Sequence, residues 1–263
     1  MAGNNWVQEG VACDIRFTGS IRTARSVLEG LISGADVVVQ AEAHRRKKLL
    51  VSDMDSTMIS VECIDELADY AGLKAEISAI TERAMRGDLD FEQALTHRVA
   101  LLRDLDEGVI GRCLEERVSI TPGAIALVRT MKKQGACCFL VSGGFSAFAD
   151  EIAATIGFDR AVSNELEVEN GRLTGAVGRP IVGAYAKRDV LLDAIVATGI
   201  DVAESLAVGD GANDIPMLEA AGLGVAYRAK PATAAAAGAR IDHCDLTALL
   251  YAQGYSRDQW AGE

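Results

Sequence analysis

The stretch LLVSDMDSTMISVECIDE, Leu49–Glu66, opens with a run of apolar residues and then stops at two aspartates, Asp53 and Asp55. A short, continuous apolar run predicts a strand buried on both faces, the kind that parallel sheets contain. Two like charges therefore stand where that strand emerges. The pattern recurs twice: ACCFLVS ends at Ser142 and continues Gly143-Gly144, and SLAVGD ends at Asp210 and continues Gly211-Ala212-Asn213-Asp214. Helical spacing fills the intervals, in GAIALVRTMKKQG, from Phe145 to Ile156, in AKRDVLLDAIVATG and in NDIPMLEAAG; further strands fall near Ala161 and at LGVAY. Strands alternating with helices predict an α/β fold, a doubly wound parallel sheet with helices on both faces, and such sheets bind ligands beyond the carboxyl ends of their strands.

Between Cys63 and Arg117, four helical segments follow one another with no strand-like run, which predicts a helical bundle inserted after the first strand of the sheet. ELEVENGRLTG reads as a hairpin with Asn170-Gly171 at its turn. PATAAAAGA is helix-compatible and carries no chemistry. Ahead of Leu49, VACDIRF, IRTARSVLEGLI and ADVVVQ predict strand, helix and strand, followed by the basic link AEAHRRKK. The expected organisation is a small α/β segment at 1–47, a core at 48–61 and 120–263, and the helical insert at 62–119.

The chain has 263 residues, 49% of them hydrophobic, enough for a large core. A formal charge of −12 argues against a nucleic-acid surface or an anionic membrane patch. No leader-like or bilayer-length apolar run is present, so a cytoplasmic protein is expected. The cysteines Cys13, Cys63, Cys113, Cys137, Cys138 and Cys244 form no C-x-x-C pair and read as reduced, mostly buried thiols. His44, His97 and His243 are dispersed, which disfavours a His/Cys metal site.

Taken singly, the three strand ends are ordinary, because Asp and Ser cap helices and Gly-Gly makes turns. Together they place Asp53, Asp55, Asp210, Asp214, Ser142 and glycine backbone on one edge of the sheet. Two carboxylates about 4 Å apart repel by about 4 kcal/mol at an effective dielectric of about 20, so a hard divalent cation, most simply Mg²⁺, is expected among them. Such a site suits phosphate, with backbone N–H groups and the Ser142 hydroxyl on its oxygens. Lys187, at the start of a helix, is the best-placed cation to complete the charge balance. Asp53 is then the nucleophile that takes up the phosphoryl group, and Asp55 the acid that protonates the leaving oxygen and later takes a proton from water.

The motifs DMDST, SGG, Lys187 and GDGANDIPM resemble the signature of the haloacid-dehalogenase superfamily in its D-x-D-x-T form. ECIDELADYAG, AMRGDLDFEQALTHRVALL, VSGGF and VGDGANDIPM narrow the resemblance to the phosphoserine phosphatases of that superfamily, over roughly Leu49 to Tyr251. The resemblance implies Mg²⁺ on Asp53, the Asp55 carbonyl and Asp210, with Asp214 in support. It implies phosphate on Ser142, Gly143 and Lys187, with Asn213 beside it. It implies, further, a helical cap whose Glu62 faces a substrate ammonium and whose Arg98 faces a substrate carboxylate, with Met85 and Phe91 as apolar lining. The small-molecule substrate so implied is phosphoserine. The segment ahead of Leu49 departs from relatives that carry a longer α/β domain there. Phosphohomoserine is an alternative substrate, and a receiver-type phosphoacceptor is an alternative of another class; an acid two residues from the nucleophile argues against the receiver, which needs a long-lived acyl phosphate. A plain ligand-binding module, which needs no acid pair, is weaker still.

Overall fold

The computed structural model describes residues 4–85 and 88–262. The chain begins with an antiparallel hairpin, β1 (Asn4–Gln8) and β2 (Ala12–Ile15), and a helix, α1 (Ile21–Leu28). The first strand of the main sheet is β3 (Leu49–Ser52), followed by four helices, α2 (Cys63–Ala71), α3 (Lys74–Met85), α4 (Phe91–Leu101) and α5 (Gly108–Glu116). Then come α6 (Ala124–Lys133), β4 (Cys137–Phe145), α7 (Ser146–Ile156), β5 (Arg160–Asn164), β6 (Leu166–Glu169) and β7 (Arg172–Val177). The chain closes through α8 (Ala184–Thr198), β8 (Ser205–Gly209), α9 (Ile215–Ala220), β9 (Leu223–Tyr227), α10 (Pro231–Ala236), β10 (Ala239–Ile241) and α11 (Ala248–Ala252).

Six strands make one sheet in the order β10-β9-β8-β3-β4-β5, and every neighbouring pair is parallel. From β3 the chain winds outward to β4 and β5, then returns to the other side of β3 for β8, β9 and β10. The winding therefore reverses between β3 and β8, which opens a crevice at their carboxyl ends. Every residue of β3, β8 and β9 is buried, as continuous apolar runs in a parallel sheet require. Alternate side chains point to opposite faces. Leu50, Leu140 and Val208 join Leu127 and Phe148 of the helices on one face, whereas Leu49, Val51, Val141 and Ala207 join Leu191 and Met217 on the other.

The four inserted helices are tied to the sheet by a short two-chain stem. Ile59 pairs with Ile120, the Ser60 N–H donates to the Ser119 carbonyl at 3.0 Å, and the Thr121 N–H donates to the Met58 carbonyl at 2.9 Å. A second tie comes from the β6–β7 hairpin, whose Leu173 exchanges backbone hydrogen bonds with Asp104 and Leu105. The hairpin turn has Asn170 and Gly171 at φ of 53° and 75°, the pair of left-handed residues that its sequence predicts.

The front of the chain differs from the expected strand, helix and strand. Residues 35–40 form no strand, since they enter no ladder among the described residues. They run along the body of the protein instead, with Val39 buried and the Asp36 carboxylate accepting from the backbone N–H groups of Asp242, His243 and Cys244. The helix stops at Leu28, short of Ile32, and β2 pairs with β1, a strand that the polar NNWVQ does not announce. Among the described residues, nine of the fourteen exposed large apolar side chains lie between Trp6 and Ile32, so this segment stands outside the main core. PATAAAAGA is likewise only partly helical, since α10 ends at Ala236 and Ala239 enters β10. All six cysteines are free, but Cys13 and Cys244 are exposed and Cys137 is half-buried, so the expectation of mostly buried thiols holds for three.

Asp36 is the main polar anchor of residues 35–40. Replacing it by alanine is expected to cost about 1 kcal/mol, a charge-assisted contact discounted for a turn open to water. The measurement is a denaturant midpoint; an unchanged midpoint for Asp36→Ala would show that Val38, Val39 and the Gln40 amide, which donates to the Ala252 carbonyl, hold the segment without it.

Candidate active site

Asp53 is the first residue beyond β3, and its N–H donates to the Val208 carbonyl of β8 at 2.9 Å, extending the ladder by one residue. That bond sets the side chain in the crevice between the two strands. One Asp53 oxygen lies 2.7 Å from the Nζ of Lys187, and the same Nζ donates to Asp214 at 2.8 Å. Lys187 sits in the first turn of α8 and is fully buried, as is Asp214. Asp214 is held from its other oxygen by the N–H groups of Asp210 and Gly211 at 3.1 and 3.0 Å. Asp210, at the end of β8, accepts from the Thr57 hydroxyl at 3.2 Å.

Asp53, Asp210 and Asp214 each offer a carboxylate oxygen within 4.8 Å of the others. Lys187 balances one of these three charges and leaves two unmatched. Burial and Asp214 accordingly push the Asp53 carboxyl well above the usual range, against the pull of Lys187. Burial, Asp214 and Glu62 raise Asp210 to about 6. Burial alone would lower the Lys187 ammonium, but Asp214 and Asp53 hold it above the ordinary lysine range. An all-oxygen cluster two charges short of neutrality fits a hard divalent cation.

Asp55 stands on a tight turn in which the Met58 and Ile59 N–H groups both donate to the Met54 carbonyl, with Ser56 at a φ of 55°. One Asp55 oxygen accepts the N–H of Cys63 at 3.3 Å. The other occupies space beside Gly144, where an added Cβ would come within 2.8 Å of it, so a side chain there would displace the carboxylate. Burial and the Glu62 charge raise Asp55 to about 7, against the lowering effect of Cys63. Glu62, just before α2, accepts from the Ser56 hydroxyl at 2.7 Å. The buried Ser142 hydroxyl accepts the Gly144 N–H at 2.8 Å. Asn213 lies on the turn beside Asp214.

The insert reaches this crevice. The Phe91 ring rests against Gly143 and Gly183, where an added Cβ would lie 3.0 and 3.3 Å from it. Burial lowers Arg98, while Asp65, Glu62 and Asp55 raise it, which puts its guanidinium within electrostatic reach of the aspartate turn. The Met85 side chain lies outside the described residues. The structure thus gathers Asp53, Asp55, Asp210, Asp214, Ser142, Gly143 and Lys187 at one edge, with Glu62, Arg98 and Asn213 around them. Two contributors to the carboxylate turn escaped the sequence analysis. Thr57 is the threonine of D-x-D-x-T and had a signal, whereas the Cys63 N–H, a backbone group, had none.

A family model described as haloacid dehalogenase-like hydrolase matches residues 50–219. The chain is similar to the phosphoserine phosphatase of Streptomyces coelicolor, with 43% identity over 244 residues, covering 92% of this chain and 59% of that one. Its likeness to the phosphoserine phosphatase of Haemophilus influenzae is 45% over 202 residues, covering 77% and 64%. The chain thus spans less than two thirds of the length of these relatives. A solved structure described as a substrate-bound phosphoserine phosphatase complex superimposes with a TM-score of 0.73 at 39% identity, covering 78% of this chain and 98% of that one. A probable phosphoserine phosphatase from Vibrio cholerae superimposes with a TM-score of 0.76 at 36% identity, covering 94% and 75%.

In the absence of a cation, the raised carboxyls of Asp55 and Asp210 make stability depend on pH. As pH climbs from about 4, these groups ionise first in the unfolded chain, which then binds fewer protons than the folded one, so stability falls until the folded-state values near 6 and 7 are passed. Thermal unfolding in chelator should therefore show a melting temperature that declines over this window, and a divalent cation should offset the decline. A melting temperature that stayed flat in chelator and ignored added cation would contradict the charge count.

Proposed function

Because the chain belongs to the haloacid dehalogenase-like hydrolase family, we propose that it is a Mg²⁺-dependent phosphatase that hydrolyses O-phospho-L-serine to serine and inorganic phosphate. The observation that carries this reading is the pairing at the end of β3: Asp53 lies 2.7 Å from a buried lysine, and Asp55, two residues on, is a carboxyl raised to about 7. Lys187 and the cation expected in the cluster both favour ionised Asp53 against the burial that raises it, whereas Asp55 has no such cation beside it and can hold a proton near neutral pH. The names of the relatives supply the substrate.

In the first step, an Asp53 oxygen attacks phosphorus, the bond from phosphorus to the serine oxygen breaks, and Asp55 gives that oxygen its proton. In the second, ionised Asp55 takes a proton from water, the water oxygen attacks phosphorus, and the bond to Asp53 breaks to release phosphate. Ser142, the Gly143 N–H, Lys187 and Asn213 hold the phosphoryl oxygens through both steps. Asp53, the Asp55 carbonyl and Asp210, with Asp214 in support, would hold Mg²⁺, which when bound neutralises the charge these carboxylates and the phosphate bring together. Residues 62–119 act as a cap on the core of 48–61 and 120–263, with residues 1–47 as a separate segment. In the closed cap Glu62 takes the ammonium of phosphoserine and Arg98 its carboxylate. A cytoplasmic setting suits six free thiols.

Phosphate release should be measured over phosphoserine, phosphohomoserine, phosphoethanolamine and an aryl phosphate, with and without Mg²⁺. Phosphoserine should be preferred and chelation should stop the reaction. Asp53→Asn should abolish turnover in a folded protein, and Asp55→Asn should slow phosphoserine by about 10²- to 10⁴-fold, with a smaller loss on the aryl phosphate, whose leaving group needs little protonation. Substantial turnover by Asp53→Asn would sink the covalent route.

Selectivity tests the cap. Removing a charge that pairs with a buried substrate charge costs several kcal/mol, so Arg98→Ala should reduce kcat/KM for phosphoserine by about 10²-fold. The aryl phosphate lacks a carboxylate and should lose little. A parallel loss on both substrates would make Arg98 structural.

A further inference from the structure

Asn164 is the last residue of β5, and its side chain is almost wholly buried. No motif marks it, yet its amide makes three contacts at the edge of the site. Its Nδ2 donates to the Gly143 carbonyl at 2.9 Å and to the Val182 carbonyl at 3.3 Å. Its Oδ1 accepts the Val182 N–H at 2.7 Å. Two carbonyls on one side and an N–H on the other leave the amide a single satisfactory orientation.

The two backbones that Asn164 joins carry different parts of the site. Gly143 lies in the stretch where β4 departs from regular pairing: Val141 faces Val162 and Phe145 faces Asn164, so three residues of β4, Ser142 to Gly144, stand across from one of β5. Val182 directly precedes Gly183, the residue that caps α8 and whose carbonyl accepts the Lys187 N–H at 3.1 Å. The position of Val182 therefore fixes where α8 begins and where Lys187 enters the crevice.

We propose that Asn164 is a positioning residue for the phosphoryl pocket, setting the spacing between the Ser142–Gly143 loop and Lys187 by clamping Gly143 to Val182. This rests on the proposed phosphatase reading and deepens it. Asn164 touches no reacting atom. It acts by holding two anion-binding elements that belong to separate strand-to-helix connections and share no backbone ladder at this point. The carboxylates of the cation cluster sit instead at the ends of β3 and β8, where backbone N–H groups hold Asp214 and the ladder holds Asp53, and they meet the clamp only through Lys187.

The test is the isosteric Asn164→Asp. It keeps the acceptor for Val182 and replaces the donor by an oxygen that faces two carbonyls. Binding of inorganic phosphate to the Mg²⁺-loaded protein and binding of Mg²⁺ alone are measured by calorimetry, beside kcat/KM for phosphoserine. At a pH of about 8, phosphate affinity and kcat/KM should both fall about tenfold or more, as misplacement by a fraction of an ångström does, while Mg²⁺ affinity falls by clearly less, since the clamp reaches the carboxylates only through Lys187. At a pH of about 5.5, the gap to the parent should narrow, because a protonated carboxyl again donates to one of the two carbonyls and no longer opposes them with charge. A folded variant with parental phosphate affinity, or a gap that is the same at both pH values, would overturn the proposal. So would a loss of Mg²⁺ binding in step with phosphate. If Asn164→Asp does not fold, Asn164→Ser replaces it: it lacks the reach but adds no charge, and should weaken phosphate without the recovery at low pH. A parent that binds phosphate but leaves phosphoserine intact would overturn the substrate, not the clamp.

Discussion

One buried ammonium organises the site. Lys187 has no contact with solvent and sits between Asp53 and Asp214 at 2.7 and 2.8 Å. A lone buried charge is costly, so the fold tolerates Lys187 only where α8, the end of β3 and the turn after β8 meet in register. The converse also holds, because both carboxylates would be worse placed without the lysine. Three connections far apart in sequence are thereby locked to one point.

That point coincides with the switch in winding between β3 and β8 for a geometric reason. At any other place along the sheet, adjacent strands send their connections to the same side and helices fill the edge. Between β3 and β8 the connections diverge, and the vacated space accepts charged side chains with three strand ends around it. β3 serves as the central strand because it is short and buried throughout, and its next residue, Asp53, still pairs through its N–H with Val208. The nucleophile proposed here is thus held by the sheet itself, whereas Asp55 stands on the turn beyond it.

The core was legible because its strands are buried on both faces. LLVS, CCFLVS and SLAVG leave no polar alternation to confuse with a surface helix, and the residues that follow them carry the chemistry. ADVVVQ has the same strand-like composition but forms no strand, since a strand is defined by its pairing and residues 35–40 have none among the described residues. Of the N-terminal hairpin, β2 was legible in VACDIRF, whereas β1 was not, because NNWVQ is polar and its pairing with β2 is what makes it a strand. Within the site, aspartates, lysine and glycines were found through their motifs. Asn164 was not, because an asparagine before a loop looks like any turn residue until its three backbone partners, from Gly143 and Val182, are seen converging on it.

The two aspartates that open the insert differ in what controls them. Asp53 answers to the core, through Lys187 and Asp214, whereas Asp55 answers to the first residues of the insert. Its raised carboxyl results from burial and from Glu62, and the contact that opposes the rise is the N–H of Cys63, the next residue in the chain. Glu62 is itself fixed by the Ser56 hydroxyl on the aspartate turn. The proton on the proposed acid therefore depends on where α2 starts. An insert shifted away from the turn would take with it both the charge that raises Asp55 and the donor that lowers it. Coupling the acid to the insert and the nucleophile to the sheet lets one strand end hold two raised carboxyls whose charge is set by different neighbours, so that a lysine and a cation can ionise Asp53 without ionising Asp55.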